Sequence, residues 1–142
     1  YPFQPMHLAR IVVINSGRLG RVFQAKVSFV QNYHTLSVLR CLLGIGMELS
    51  IVYAYTRENR MAIVPTRAGD PASDGLITVQ QEMFLLDLGN KTATGDYESN
   101  QQCFWFCSQT NHIRGEKGEI LNDHVTYLAN FLTPCSYTIQ RS

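Results

Sequence analysis

The sequence predicts an α+β fold, a mostly antiparallel β-sheet of six to eight strands packed with two helices. Three observations carry that expectation. From Val22 to Val30 the side chains alternate, with Phe23, Ala25, Val27 and Phe29 on one side and Gln24, Lys26 and Ser28 on the other. This is the period-2 pattern of a half-buried strand. Leu36, Leu39, Leu42 and Leu43 recur instead at spacings of three and four, the pattern of a helix. The patterned strands also lack the regular strand-helix alternation that builds a parallel sheet. An all-β sandwich or barrel is the fallback if the first helix is a strand.

Taken in order, the apolar run Ala9 to Ile14 reads as a strand that turns at Asn15-Ser16-Gly17 into the strand at Val22, forming a hairpin. The helix over Thr35 to Leu43 follows, with Thr35 or Ser37 as cap and Gly44 and Gly46 as stop signals. Leu49 to Thr56 alternates as a second strand, Arg57 to Arg60 reads as a turn, and Met61 to Val64 as a short return strand. Arg67 to Gly75 has loop composition. Leu76 to Leu88 is expected to be one strand or two, Gly89 to Asn100 a polar stretch, Gln101 to Cys107 a strand and Ser108 to Gly118 a loop. Leu121, Val125, Leu128 and Leu132 then suggest a helix over Asp123 to Leu132, ended by Thr133-Pro134.

The 142 residues fit a single globular domain spanning 1–142, and no repeat or linker composition divides them. Hydrophobic residues make up 45% and charged residues 16%, which excludes a disordered chain. The apolar stretch Cys41 to Tyr55 is too short for a membrane span and carries Glu48 at its middle. With Tyr1 at its start and no basic, apolar leader, the chain reads as a processed or excised product. Charge is uneven. Residues 1–67 hold eight basic against two acidic side chains, and the remainder four against nine. Arg10, Arg18, Arg21, Arg57, Arg60 and Arg67 are therefore candidates for an anion-binding surface, because a guanidinium holds a carboxylate or phosphate at two points.

The four cysteines, Cys41, Cys103, Cys107 and Cys135, are disulfide candidates. On a strand, Cys103 and Cys107 would lie about 13 Å apart, too far to bridge each other, so each would look to Cys41 or Cys135. Asn90-Lys91-Thr92 is a glycosylation sequon with Asn90 as acceptor. Cys103, Cys107, His112, His124 and Cys135 match no zinc-finger or zinc-ribbon spacing, so no metal is expected. Phe104-Trp105-Phe106 is either a stacking platform or core. Glu48, Asp70, Asp74, Asp87, His34 and His124 are possible acids and bases, but no nucleophile elbow, H-E-x-x-H or P-loop organises them.

The segment Ile11-Val-Val-Ile-Asn15-Ser-Gly17-Arg-Leu-Gly20-Arg21 resembles the first strand and phosphate turn of glyceraldehyde-3-phosphate dehydrogenases, over about a tenth of the chain. The resemblance implies a turn that holds a nucleotide phosphate ahead of a helix. It departs from that pattern in lacking one residue and in placing Ser16 where the leading glycine belongs.

These features lead to an expected function as a secreted or extracellular interaction module stabilised by disulfides, a binder rather than an enzyme. It would have no cofactor, and its partner would be a protein or an anionic ligand and not a nucleic acid. The alternative is a small cytoplasmic enzyme that holds a phosphate-bearing ligand or nucleotide at the Gly17 to Gly20 turn.

Overall fold

The computed structural model describes residues 4–29, 32–65, 69–98 and 109–140. Two helices and eight strands follow in the order α1 (Pro5–Asn15), β1 (Val22–Phe29), α2 (Asn32–Leu43), β2 (Ile51–Ala62), β3 (Leu76–Asp87), β4 (Thr92–Glu98), β5 (Thr110–Gly115), β6 (Gly118–Leu121), β7 (His124–Ala129) and β8 (Thr133–Thr138). The strands form one sheet in the order β2-β3-β4-β1-β5-β6-β7-β8. Only β1 and β4 run parallel, and every other neighbouring pair is antiparallel. The α+β expectation holds, with the sheet at the upper end of the expected strand count. The sandwich and barrel fallbacks do not describe it.

Both helices cover one face of the sheet. Ala25 and Val27 of β1, Ala93 of β4, Ile113, Ile120 and Val125 are buried beneath Val13 of α1 and Val38, Leu39, Leu42 and Leu43 of α2. The alternating partners on β1, Gln24, Lys26 and Ser28, point to the opposite face, which neither helix covers. β2 lies beyond the helices, so Ile51 to Glu58 are exposed on both of its faces.

Four local expectations are corrected. The run Ala9 to Ile14 belongs to a helix, not a strand. A short apolar run fits either period, and the flanks decide here. Pro5 opens the first turn, where its missing N–H costs nothing, and Gly17, at φ +75°, closes the last one. His7, Arg10 and Val13, three residues apart, form the buried side. The turn expected at Arg57 to Arg60 is the middle of β2, which pairs with β3 without a break from Ile51↔Asp87 to Ala62↔Leu76. Charges there mark a strand in water rather than a turn. β4 and β5 fall in stretches expected to be loops, because strands with one solvated face tolerate polar residues. The strand expected at Gln101 to Cys107 lies outside the described residues.

The fourth correction concerns Asp123 to Leu132, which is not a helix. β7 occupies His124–Ala129, and a three-residue turn with Asn130 at φ 52° and Phe131 at φ 64° leads into β8. Of the four residues in the supposed stripe only Val125 is buried, while Leu132 is 86% exposed. The true alternation places Val125 and Tyr127 toward the helices and His124, Thr126 and Leu128 away from them.

These assignments fix a stability contrast. Ile120, fully buried on β6, is expected to lose about 2 to 5 kcal/mol on truncation to alanine. Leu132→Ala, in the exposed turn, is expected to stay within about 0.5 kcal/mol. Paired denaturant titrations check both, and a comparable loss at Leu132 would restore the helical reading.

Candidate functional site

Pairing β1 with β4 in parallel brings the carboxyl ends of both strands to one end of the sheet. The register closes there with Phe29↔Tyr97. α2 starts directly after β1, and β5 starts beside the end of β1, where Thr110 pairs with Ser28. The first turn of α1 stands at the same end, over the start of β5 and the turn between β6 and β7. Ligands commonly bind outside the carboxyl ends of parallel strands.

At this end lies an open cavity of about 890 Å³ whose lining includes Gln4, His7, Arg10, Asn111, Asn122 and Asp123. That volume suits a small-molecule site. Asn122 organises its floor. At φ 57° it adopts the left-handed conformation that asparagine tolerates. Its N–H donates to Asn111 O at 2.7 Å, and its Oδ1 accepts from Asn111 N–H at 3.0 Å. The Asn122 carbonyl, aimed outward by this turn, accepts from Arg10 Nε at 2.7 Å. Arg10 Nη1 in turn donates to His7 Nδ1 at 3.1 Å.

A ring nitrogen that accepts from a guanidinium carries no proton, so His7 is the neutral tautomer with its hydrogen on Nε2. Burial, and then the Arg10 charge beside it, lower its pKa to about 4. Asn111 is also buried, and its side-chain Oδ1 has no hydrogen-bond partner among the described residues.

His34 sits in the first turn of α2, with its ring 4.1 Å from that of Tyr33. Its pKa is lowered, chiefly by desolvation, so the imidazole is neutral near pH 7 and able to take a proton. On the face away from the helices, Asp96 of β4 stands opposite Ser28 of β1 and accepts its hydroxyl hydrogen bond. Burial outweighs that bond and raises the Asp96 pKa.

The structure separates most of the other residues singled out from sequence. Arg10 is buried in the cavity. Arg18 lies between the rings of Tyr127 and Tyr137, 5.8 and 5.7 Å from their centroids. Arg21 pairs with Glu116 at 3.1 Å and donates to the carbonyl of Asn90. Arg57 and Arg60 are on β2, and Arg67 is outside the described residues. Asn90 is exposed in the turn between β3 and β4. Cys41 and Cys135 are free thiols, and Cys103 and Cys107 are outside the described residues. No helix among the described residues is long and apolar enough to cross a membrane.

The Gly17 to Gly20 turn follows α1 and precedes β1, whereas a dinucleotide turn follows a strand and precedes a helix. A phosphate there would meet the carbonyl end of α1, the negative end of its dipole. The polarity of the turn is therefore wrong for the role that the dehydrogenase-like segment implies. Sequence reading marked Arg10 and His34 but missed His7, Asn111, Asn122 and Asp123. The one available signal was His7 three residues before Arg10, and it becomes visible only once the segment is read as a helix.

No protein-family model matches the chain, and no curated protein matches it in sequence. Solved structures do match. Levoglucosan dehydrogenase in complex with NADH and L-sorbose superposes with a TM-score of 0.64 at 16% identity, over 96% of this chain and 45% of that one. An oxidoreductase from Agrobacterium radiobacter in complex with NAD+, L-tartaric acid and magnesium gives 0.63 at 18% identity, over 100% of this chain and 45% of that one. The shared feature is the fold, and this chain spans less than half the length of the solved chains it matches.

These matches overturn the expected secreted, glycosylated, disulfide-stabilised binding module and the leaning against an enzyme. The chain shares the fold of part of a dehydrogenase and of part of an oxidoreductase, and no bridge joins the described cysteines. The enzyme alternative is the better supported of the two readings, although the Gly17 to Gly20 turn does not fit the nucleotide role it was given.

The buried His7 sets a pH dependence. Its folded pKa of about 4 lies below its ordinary 6.5, so between those values the unfolded chain binds the proton more readily. Stability from this group is therefore fully present above about pH 6.5 and falls as pH drops toward 4, by up to about 3 kcal/mol. Denaturant titrations at several pH values are expected to show a steeper acid loss for the wild type than for His7→Gln. Parallel curves would contradict the neutral, buried imidazole.

Proposed function

We propose that this chain is the substrate-side part of an oxidoreductase acting on a small hydroxylated molecule, and that it folds as one unit. The observation that supports this is the match of nearly the whole chain to part of levoglucosan dehydrogenase, whose structures hold NADH with L-sorbose or levoglucosan, and of an oxidoreductase whose structure holds NAD+, L-tartaric acid and magnesium. The described residues do not fit the nucleotide. They include neither a doubly wound parallel sheet nor a glycine turn that opens a helix. In this reading the nicotinamide nucleotide is held by another part of the protein.

The role left to this chain is to bind the substrate and move its proton. Oxidising a secondary alcohol requires the hydroxyl to lose a proton, and His34 supplies a neutral imidazole at the site end of the sheet. Tyr33 lies beside it, its ring tilted by 48° to the imidazole. The cavity under α1 offers amides and a guanidinium, groups that orient hydroxyls and carboxylates.

The full-length protein, supplied with NAD+ and a panel of sugars, polyols and hydroxy acids, is expected to form NADH with at least one of them. His34→Asn is expected to lower kcat about 10²-fold or more and leave KM little changed. Absence of turnover across the panel, or an unaffected kcat in His34→Asn, would remove the reading.

A further inference from the structure

We propose that two copies of this protein associate through β2, whose free edge pairs antiparallel with β2 of the second copy about a two-fold axis at Thr56. The contact uses none of the cavity residues and stands apart from the oxidoreductase reading.

The sheet ends in β2 on one side and β8 on the other, and the two edges differ. Ile139 N–H donates to the carbonyl of Asp123, one step beyond the pair His124↔Thr138. The odd residues of β8 therefore bond inward, and the even ones present their backbone to the free side. Pro134 is one of the even residues. Its missing N–H faces outward and blunts that edge. On β2 the same alternation is set by Ile63, whose N–H donates to the carbonyl of Gly75, one step beyond Ala62↔Leu76. Val52, Ala54, Thr56, Glu58 and Arg60 then present their N–H and C=O groups to a side on which no strand lies among the described residues. No proline interrupts the 12 residues of β2 and no register shift breaks their pairing with β3. Ile51, Val52 and Tyr53 are each 58% exposed. A long, unbroken edge with apolar side chains is a template for another strand.

The charges on β2 name that strand. Setting one edge antiparallel against its own copy requires a two-fold axis normal to the sheet. Such an axis keeps each face on the same side in both copies, so odd residues meet odd and even meet even. Centred on Arg57, the pairing sets guanidinium against guanidinium, and centred on Glu58, carboxylate against carboxylate. Both are unfavourable. Centred on Thr56, it runs from Ile51 through Met61 and brings no like charges directly opposite each other. Arg57 then lies beside Tyr55 of the second copy, twice over by symmetry, and a guanidinium is attracted to a tyrosine ring. Ile51 meets Met61 of the second copy, which covers part of the exposed apolar end. The strand is complementary to itself, which favours a second copy over an unrelated partner.

The full-length protein is expected to sediment as a dimer. Thr56→Pro removes an N–H from the free side alone and leaves the ladder to β3 whole. It is expected to keep the wild-type circular dichroism spectrum and to raise the dimer dissociation constant about tenfold or more. Thr56→Cys places the two α-carbons about 5.5 Å apart, within reach of a disulfide, and mild oxidation is expected to give a covalent dimer. Asn59→Cys, about 20 Å from its own copy in this register, is expected to give none above the background that the native cysteines produce in the wild type. The cysteine pair decides the matter if Thr56→Pro alters the fold. A monomeric wild type, a dimer that a folded Thr56→Pro leaves intact, or cross-linking at Asn59 as ready as at Thr56 would each overturn the proposal. A monomer whose β2 amides resist hydrogen exchange would overturn it by giving the edge to another segment of the same chain. None of these measurements depends on turnover.

Discussion

The parallel pairing of β1 with β4 is the constraint on which the rest of the molecule depends. Val27 lies opposite Gly95, and Ala25 opposite Ala93. These small residues let α2 settle directly over the pair. A Cβ on Gly95 would stand 2.3 Å from Phe84 Cζ and 2.7 Å from Thr35 Cγ2, distances that no packing tolerates. Two parallel neighbours cannot be joined by a hairpin. The chain instead leaves β1 through α2, runs out to β2 at the far edge, and returns through β3 to β4. The start of α2 and the ends of β1 and β4 consequently meet at one end of the sheet, and both histidine-bearing first turns stand there.

A sheet whose two helices both lie on one face carries two kinds of pattern. Where helices lie above it, one side of each strand must be apolar and small, as Ala25, Val27, Ala93 and Ile113 are. Where none do, as along β2, the constraint disappears and the strand carries Arg57, Glu58 and Arg60 next to Tyr53 and Tyr55. The same fold thus contains strands that obey the period-2 rule and strands that ignore it.

This difference explains what was legible in the sequence. β1 and α2 were readable because each has one face in the core, and burial writes the period into the residues; β3 was readable as an apolar run, although Val79 is its one buried residue. β2 was readable only in its apolar half, and β4 and β5 not at all, because solvent accepts their polar side chains. α1 and the β7–β8 hairpin failed for another reason. Five apolar residues between Ala9 and Ile14, interrupted by Arg10, and leucines at helical spacing after Leu121, each fit two periods, and only the positive-φ turns at Gly17, Asn130 and Phe131 separate them. Those turns are backbone states that the residue types permit without requiring. Within the site, Arg10 stood out as a charge in an apolar run. Asn111 did not, because its burial is created by α1 and the β5–β7 meander jointly, and neither element alone marks it.

The charge of the cavity follows from the same backbone detail. The left-handed turn at Asn122 points its carbonyl at Arg10 Nε, which fixes the guanidinium plane, and that plane presents Nη1 to His7 Nδ1. The imidazole is thereby held neutral beside a permanent cation. Protonating it would place two positive groups within 3.1 Å in a buried setting and would break the bond that orients Arg10. The geometry of the anion-favouring wall and the stability of α1 on the sheet consequently share one proton. Acidification does not merely recharge the cavity. It removes the contact between the His7 ring and the Arg10 guanidinium that helps to orient Arg10.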